Sequence, residues 1–333
     1  MLLELLAAGG NARGEDLERA LRDESKVVRL AAARIAASGD FGLTEEVVRE
    51  ALLNDEVFNK LDYDETREAQ LACFALSDPA TILNRIDWWT YEGSHAYRFL
   101  ALEHFDLISD RVRSDLASDF TALRDESTVR LRERLGDAAD RFIADASDDD
   151  LEEYKRVLYT EAALEGLAKH GTAADAELGR AYFDHNDADV REAALRVLTA
   201  LGDTSDIEAL QAIANEQSEL AGEAARGILR IQPGLNETTR RLLASSSPEV
   251  VALALDHLLE PAWTDVAGDV KPLLASRLPA VRTLVADRLG AVLEAGELIA
   301  VLDEYLQQRP YFYDAAARLD ALLYGPGGAL AQE

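Results

Sequence analysis

Three prolines, Pro248, Pro279 and Pro310, stand 31 residues apart in this chain of 333 residues. Proline suits the first position of a helix, where its missing N–H costs nothing and its fixed φ is already helical. Three helices therefore start in one register. A chain that repeats a short helical unit at a fixed step does not close a single globular core. Each unit buries its apolar face against the next.

The stretch Asp187–Asp203 shows how one unit is built. Asp187 is an N-cap residue, whose carboxylate accepts from the free N–H groups of the first turn. Val190, Ala193, Ala194, Val197, Leu198 and Leu201 follow at three- and four-residue steps and form one apolar stripe. The alanines combine high helix propensity with room for a neighbouring helix. Gly202 is expected in the left-handed conformation that ends a helix. Asp203 and Ser205 are expected to cap the next one.

Aligning the chain to Arg191 gives equivalent positions at Arg29, Arg67, Arg98, Arg130, Thr160, Arg191, Gly222, Val251, Arg282 and Tyr313. The steps between them are 38, 31, 32, 30, 31, 31, 29, 31 and 31 residues. Shorter amphipathic segments lie between, among them Glu15–Asp23, Arg111–Leu123 and Glu297–Gln307, so each unit reads as a helical hairpin. No sustained alternation supports a strand. The step to Arg67 is seven residues too long, Asp87–His95 does not fit the repeat, and Asp145–Glu153 reads as an acidic joint. The expectation is one array over residues 1–333, irregular over 1–147 and regular over 148–333.

The pattern carried by Asp187, Val190, Arg191, Ala193 and Ala194, and in part by Val28-Arg29, Val129-Arg130 and Val281-Arg282, resembles HEAT repeats. It is most similar to the short HEAT-like repeats of the phycobilisome-lyase type. The resemblance implies an all-α fold, a right-handed α-α superhelix of about ten helical hairpins whose second helices line the concave face. It implies architecture and little about activity, because such repeats serve scaffolds, enzymes and nucleic-acid proteins alike. In that family the repeat arginines, here Arg29, Arg67, Arg98, Arg130, Arg191 and Arg282, pair with an Asp or a carbonyl of the next repeat. That gives them a structural role.

The formal charge is −29 and the basic residues are almost all arginine. This balance resembles that of proteins from extreme halophiles, since at ~1 M salt the screening length falls to ~3 Å and self-repulsion is muted. The single cysteine, Cys73, excludes a disulfide framework and reads as a buried small hydrophobe. Residues 1–8 carry Glu4 and no basic region, and read as a capping helix rather than a signal peptide. No apolar run approaches the ~20 residues of a membrane span. A cytoplasmic protein with no membrane partner is expected.

The motifs of chemistry are weak. His95, His104, His170, His185 and His257 form no HxxxH or HExxH pair, so zinc hydrolysis has no support. HEAT-like deoxyhypusine hydroxylases use repeated His-Glu pairs for iron; here Glu103-His104 stands once and reversed. Asp148–Asp150 lack the glycine and terminal glutamate of a calcium loop. The Gly325–Gly328 tail follows no strand, and no Gly-x-Ser-x-Gly is present. No catalytic residue, metal ligand or cofactor is expected. The acidic balance argues against nucleic acid, and Arg130, Arg132 and Arg134 alternate with acids as a solvated helix face does.

The expected function is a non-enzymatic scaffold that binds another protein along the array. The candidate binding residues are the aromatic cluster Trp88, Trp89 and Tyr91, with Tyr311 and Tyr313 second. An enzyme of the lyase or isomerase type, or its accessory subunit, is the alternative that the resemblance implies. A DNA-repair glycosylase of the HEAT-like class is a weaker one.

Overall fold

A computed structural model describes residues 13–39, 41–53, 63–85, 90–136, 139, 149–216, 219–259 and 263–308. Among the described residues the chain is all-helical, with eighteen α-helices and no strand. In chain order they are α1 Gly14–Leu21, α2 Lys26–Ser38, α3 Glu45–Leu52, α4 Tyr63–Ala75, α5 Pro79–Arg85, α6 Tyr91–Glu103, α7 Phe105–Ala117, α8 Thr121–Leu135 and α9 Asp149–His170. Then come α10 Ala176–Tyr182, α11 Ala188–Leu201, α12 Ile207–Ala214, α13 Ala221–Ile231, α14 Glu237–Leu243, α15 Pro248–Leu259, α16 Trp263–Val270, α17 Pro279–Val292 and α18 Ala295–Gln308. Three short 3-10 turns precede α10 and α12 and follow α16. No helix among the described residues is long and apolar enough to cross a membrane.

The chain forms two compact units, residues 1–194 and 195–333. In the first, the second helix of each hairpin packs on that of the next, in the order α2, α4, α6, α9. In the second unit the order is α13, α15, α17. Small residues permit this stacking: Ala32, Ala33, Ala69, Ala101, Ala162 and Ala163 are fully buried. Gly166 on α9 lies so close to α6 that an added Cβ would stand 2.8 Å from the Ala101 side chain and 3.0 Å from its carbonyl oxygen. Cys73 is fully buried among the alanines of α2 and α4, and burial pushes its thiol up to about 12. It is an inert packing residue.

The start of the Asp187 helix is as expected: its Oδ1 accepts from the N–H groups of Asp189 (2.9 Å) and Val190 (3.3 Å). Asp203 accepts from Ser205 N at 2.8 Å and closes a capping box with Asp206. Gly202 differs from expectation. The left-handed glycines among the described residues are Gly42, Gly136 and Gly234. At Gly202 the need is space, since a Cβ there would collide with Leu198 O and with the Asp206 carboxylate.

The Arg130 helix departs from the simple array. By register it belongs between the Arg98 helix and the Thr160 helix, yet α6 packs directly on α9 while α8 touches α7. The segment Arg111–Leu123, expected as one helix, is broken at Asp119 and Phe120, both left-handed (φ 49° and 58°). This conformation is uncommon for residues with a side chain. Phe120 is held in it by burial: the ring is fully buried, 6.2 Å from Tyr97 and 6.0 Å from Tyr159. Tyr97 and Tyr159 meet edge to face at 5.3 Å. The Tyr97 hydroxyl donates to Asp115 at 3.2 Å, and Arg111 bridges Asp115 to Glu126 on α8. The joint expected at residues 145–153 falls partly outside the described residues; residues 149–153 begin α9, within the first unit.

Candidate functional site: a groove across the second helices of the first unit

The second helices place their outer faces side by side, and the residues on those faces line two cavities. The larger, of about 730 Å³, lies across α2, α4 and α6. Its floor is apolar, with Leu71, Ala72, Ala75, Phe99 and Leu102; Arg34, Glu68 and Glu103 stand among its charged residues. The smaller, of about 290 Å³, lies between α4, α6, α9 and the turn before α11. Arg67 and Arg98 line both cavities, so the two lie next to each other with these arginines between them.

The smaller cavity is the more polar. Ser94 and His95, on the first turn of α6, are 3 % and 4 % exposed. Thr90 caps this turn by accepting from Gly93 N at 2.9 Å. The His95 Nδ1 meets the Gln70 side-chain amide. Burial, then the charges of Arg67 and Arg98, lower the His95 pKa to about 4. The imidazole is therefore neutral at pH 7. Arg98 donates to Glu161 (3.1 Å) and Glu165 (2.7 Å), which lie one helical turn apart on α9. Tyr154, Val157 and Leu158 supply the α9 wall, and Asp187 and Asp189 the opposite rim. The carboxyl group of Asp115, raised chiefly by burial, lines neither cavity.

Trp88, Trp89, Tyr311 and Tyr313, expected as binding residues, lie outside the described residues. Tyr91 begins α6, but its side chain also lies outside them. The six repeat arginines divide into three kinds. Arg29, Arg191 and Arg282 reach backwards over their own turns. Arg29 Nη1 donates to the carbonyls of Asp23 (2.8 Å) and Glu24 (3.0 Å), Arg191 Nη1 to those of His185 (2.6 Å) and Asn186 (2.8 Å), and Arg282 Nη1 to Ser276 (2.6 Å). These partners precede the arginine by five or six residues, instead of lying in the next repeat. The reason is that helical side chains slant towards the N-terminus, so an arginine in the first turns overhangs the loop before its helix. Arg130 pairs with Glu126 on its own helix at 2.6 Å. Arg98 ties α6 to α9, and it shares the groove with Arg67.

No family model matches the sequence, and no curated protein matches it. The crystal structure of an engineered protein is similar at 18 % identity, over 96 % of this chain and 90 % of that one. Its TM-score is 0.34, too low to carry one fold over to the other.

Sequence reasoning passed over Ser94, His95, Gln70, Glu161 and the apolar floor. His95 was read only against metal motifs. The signal for them was positional: the adjacent Ser94 and His95 are followed by Arg98 and Leu102 at steps of three and four residues on one face of α6, with the polar members at the start.

Proposed function

We propose that the chain is a non-enzymatic binding protein of HEAT-like construction that holds a segment of another protein in the groove across α2, α4, α6 and α9. The observation that carries this reading is the adjacent pair of cavities, an open apolar trough beside a small polar pocket, with Arg67 and Arg98 lining both. Extended surfaces built from repeated helices serve this purpose, and an apolar floor with a few placed polar groups is the usual make-up of a binding cleft. The strongly acidic composition, whose few basic residues are almost all arginine, favours a cytoplasm of high salt as the setting. Selection of random dodecapeptides displayed on phage, at about 1 M KCl, tests the reading. Peptides that bind the protein should lose binding when Ala75→Trp fills the floor, with the melting temperature unchanged. Selected peptides indifferent to Ala75→Trp would place the binding surface elsewhere.

A further inference from the structure

The two ends of the groove differ in charge as well as in polarity. At the floor end Arg34, Arg67 and Arg98 stand against Glu68 and Glu103. At the pocket end the two shared arginines stand against Glu161, Asp187 and Asp189, with Glu165 also engaged by Arg98. That is two guanidiniums against four carboxylates. Arg98 is already met by two acids, one of them 11 % exposed, so it is no docking point for an anion. The excess carboxylates lie on the Asp187–Asp189 rim, where Asp187 Oδ1 holds the backbone of its own turn. Asp189 presents an exposed side chain. Tyr154, 41 % exposed, adds an aromatic wall, and aromatic faces attract cations. His95, neutral at pH 7, adds no charge.

We infer that the pocket between α4, α6, α9 and the Asp187 turn takes a basic side chain, arginine or lysine, of the bound segment, while apolar residues next to it lie on the Leu71–Phe99–Leu102 floor. This rests on the groove being a peptide site, and deepens it by naming the peptide: one basic residue beside an apolar stretch. The enclosed volume of about 290 Å³ is at the small end of ligand cavities, which suits one side chain rather than a folded element. Because Asp189 is exposed, its pull on a basic side chain is screened in molar KCl and grows as the salt is lowered.

The displayed-dodecapeptide selection decides it, followed by fluorescence anisotropy on synthetic copies of the winners. The expected result is arginine or lysine at one fixed position. Replacing it with citrulline or norleucine weakens binding tenfold or more, and so does Asp189→Lys. Asp189→Asn, the milder change, keeps the helix start intact and should weaken binding in the same direction. Winners that need the floor, shown by Ala75→Trp, but carry no fixed basic residue or ignore both Asp189 variants, overturn the inference and leave the groove reading standing. Winners that ignore Ala75→Trp as well overturn both.

Discussion

The second unit ties its helices at one repeat's distance, as the start of the first unit does where Arg34 meets Glu68 over 34 residues, but the ties after α6 in the first unit do not. In the second unit the ties follow the repeat. Arg230 donates to Thr199 O, 31 residues back; Arg288 pairs with Asp256 over 32; Arg240 pairs with Asp269 over 29. In the first unit the ties between α6–α7 and the helices that follow span twice that. Arg98 reaches Glu161 and Glu165 over 63 and 67 residues, Arg113 reaches Asp175 over 62, and Tyr182 reaches Leu116 over 66. Helix α8 stands outside the order in which α6 packs on α9. What this teaches is where a pocket comes from. Regular stacking repeats one interface and leaves little that is unique. The skip brings Ser94, His95 and Arg98 against Tyr154 and Glu161, a pairing that the register alone would not have made.

The largest effect is expected at the aromatic cluster that holds the skip. Tyr97→Ala should cost ~3–5 kcal/mol, the range for deleting a buried aromatic, measured by urea unfolding. Tyr97→Phe removes only the bond to Asp115 and should cost ~1 kcal/mol. A loss from Tyr97→Ala no larger than that from Tyr97→Phe would mean that the cluster does not hold α6 to α9.

The next effect is on pH dependence. The folded protein keeps His95 neutral down to about pH 4, whereas the free side chain titrates near 6.5. Between those values the unfolded chain binds the extra proton, so stability falls as pH is lowered through the window, by ~2–3 kcal/mol in all. Asp115 acts with the opposite sign, because its raised pKa lets the folded state take a proton first. Comparing the protein with His95→Gln isolates the histidine. The slope between pH 6.5 and 4 should flatten in the variant, and the His95 ring resonances should titrate near 4 in the parent.

Helix contacts sharpen the comparison further. Gly166→Ala would gain up to ~1 kcal/mol of helix propensity but places its methyl 3.0 Å from the Ala101 carbonyl. Overpacking of ~1–3 kcal/mol should win, giving a lower melting temperature. Gly227→Ala is the counterpart in the regular unit, 3.0 Å from Thr199 Oγ1 and 3.1 Å from its Cα. It should be similarly destabilising. If only Gly166→Ala destabilises, close approach belongs to the skip and not to the repeat. Smallest is the cap: Thr90→Ala should cost ~1 kcal/mol and loosen the turn that carries Ser94 and His95.

The sequence disclosed the fold through the features that every copy must share. Helix starts at Asp187, Pro248 and Pro279, the small residues at contacts, and the step of about 31 all follow from stacking one hairpin on another. It concealed the skip because the Arg130 segment keeps the length of a repeat while lacking its apolar stripe; α8 is a charged helix, with Val129 exposed. The turn that swings it out uses Asp119 and Phe120 in a conformation that glycine or asparagine would have advertised. The groove was hidden for another reason. Its residues are ordinary on each helix, and become a site only when α4, α6 and α9 lie side by side.

The arginine that overhangs its own turn has a consequence for how such a chain grows. At Arg29, Arg191 and Arg282 the guanidinium and the carbonyls it binds are encoded within one short stretch of about seven codons. A duplicated hairpin therefore arrives with its fastener complete, and a deleted one takes its fastener away. Had each arginine relied on an acid in the following hairpin, the last copy would always lack a mate. A latch that is local makes the copy number free to change.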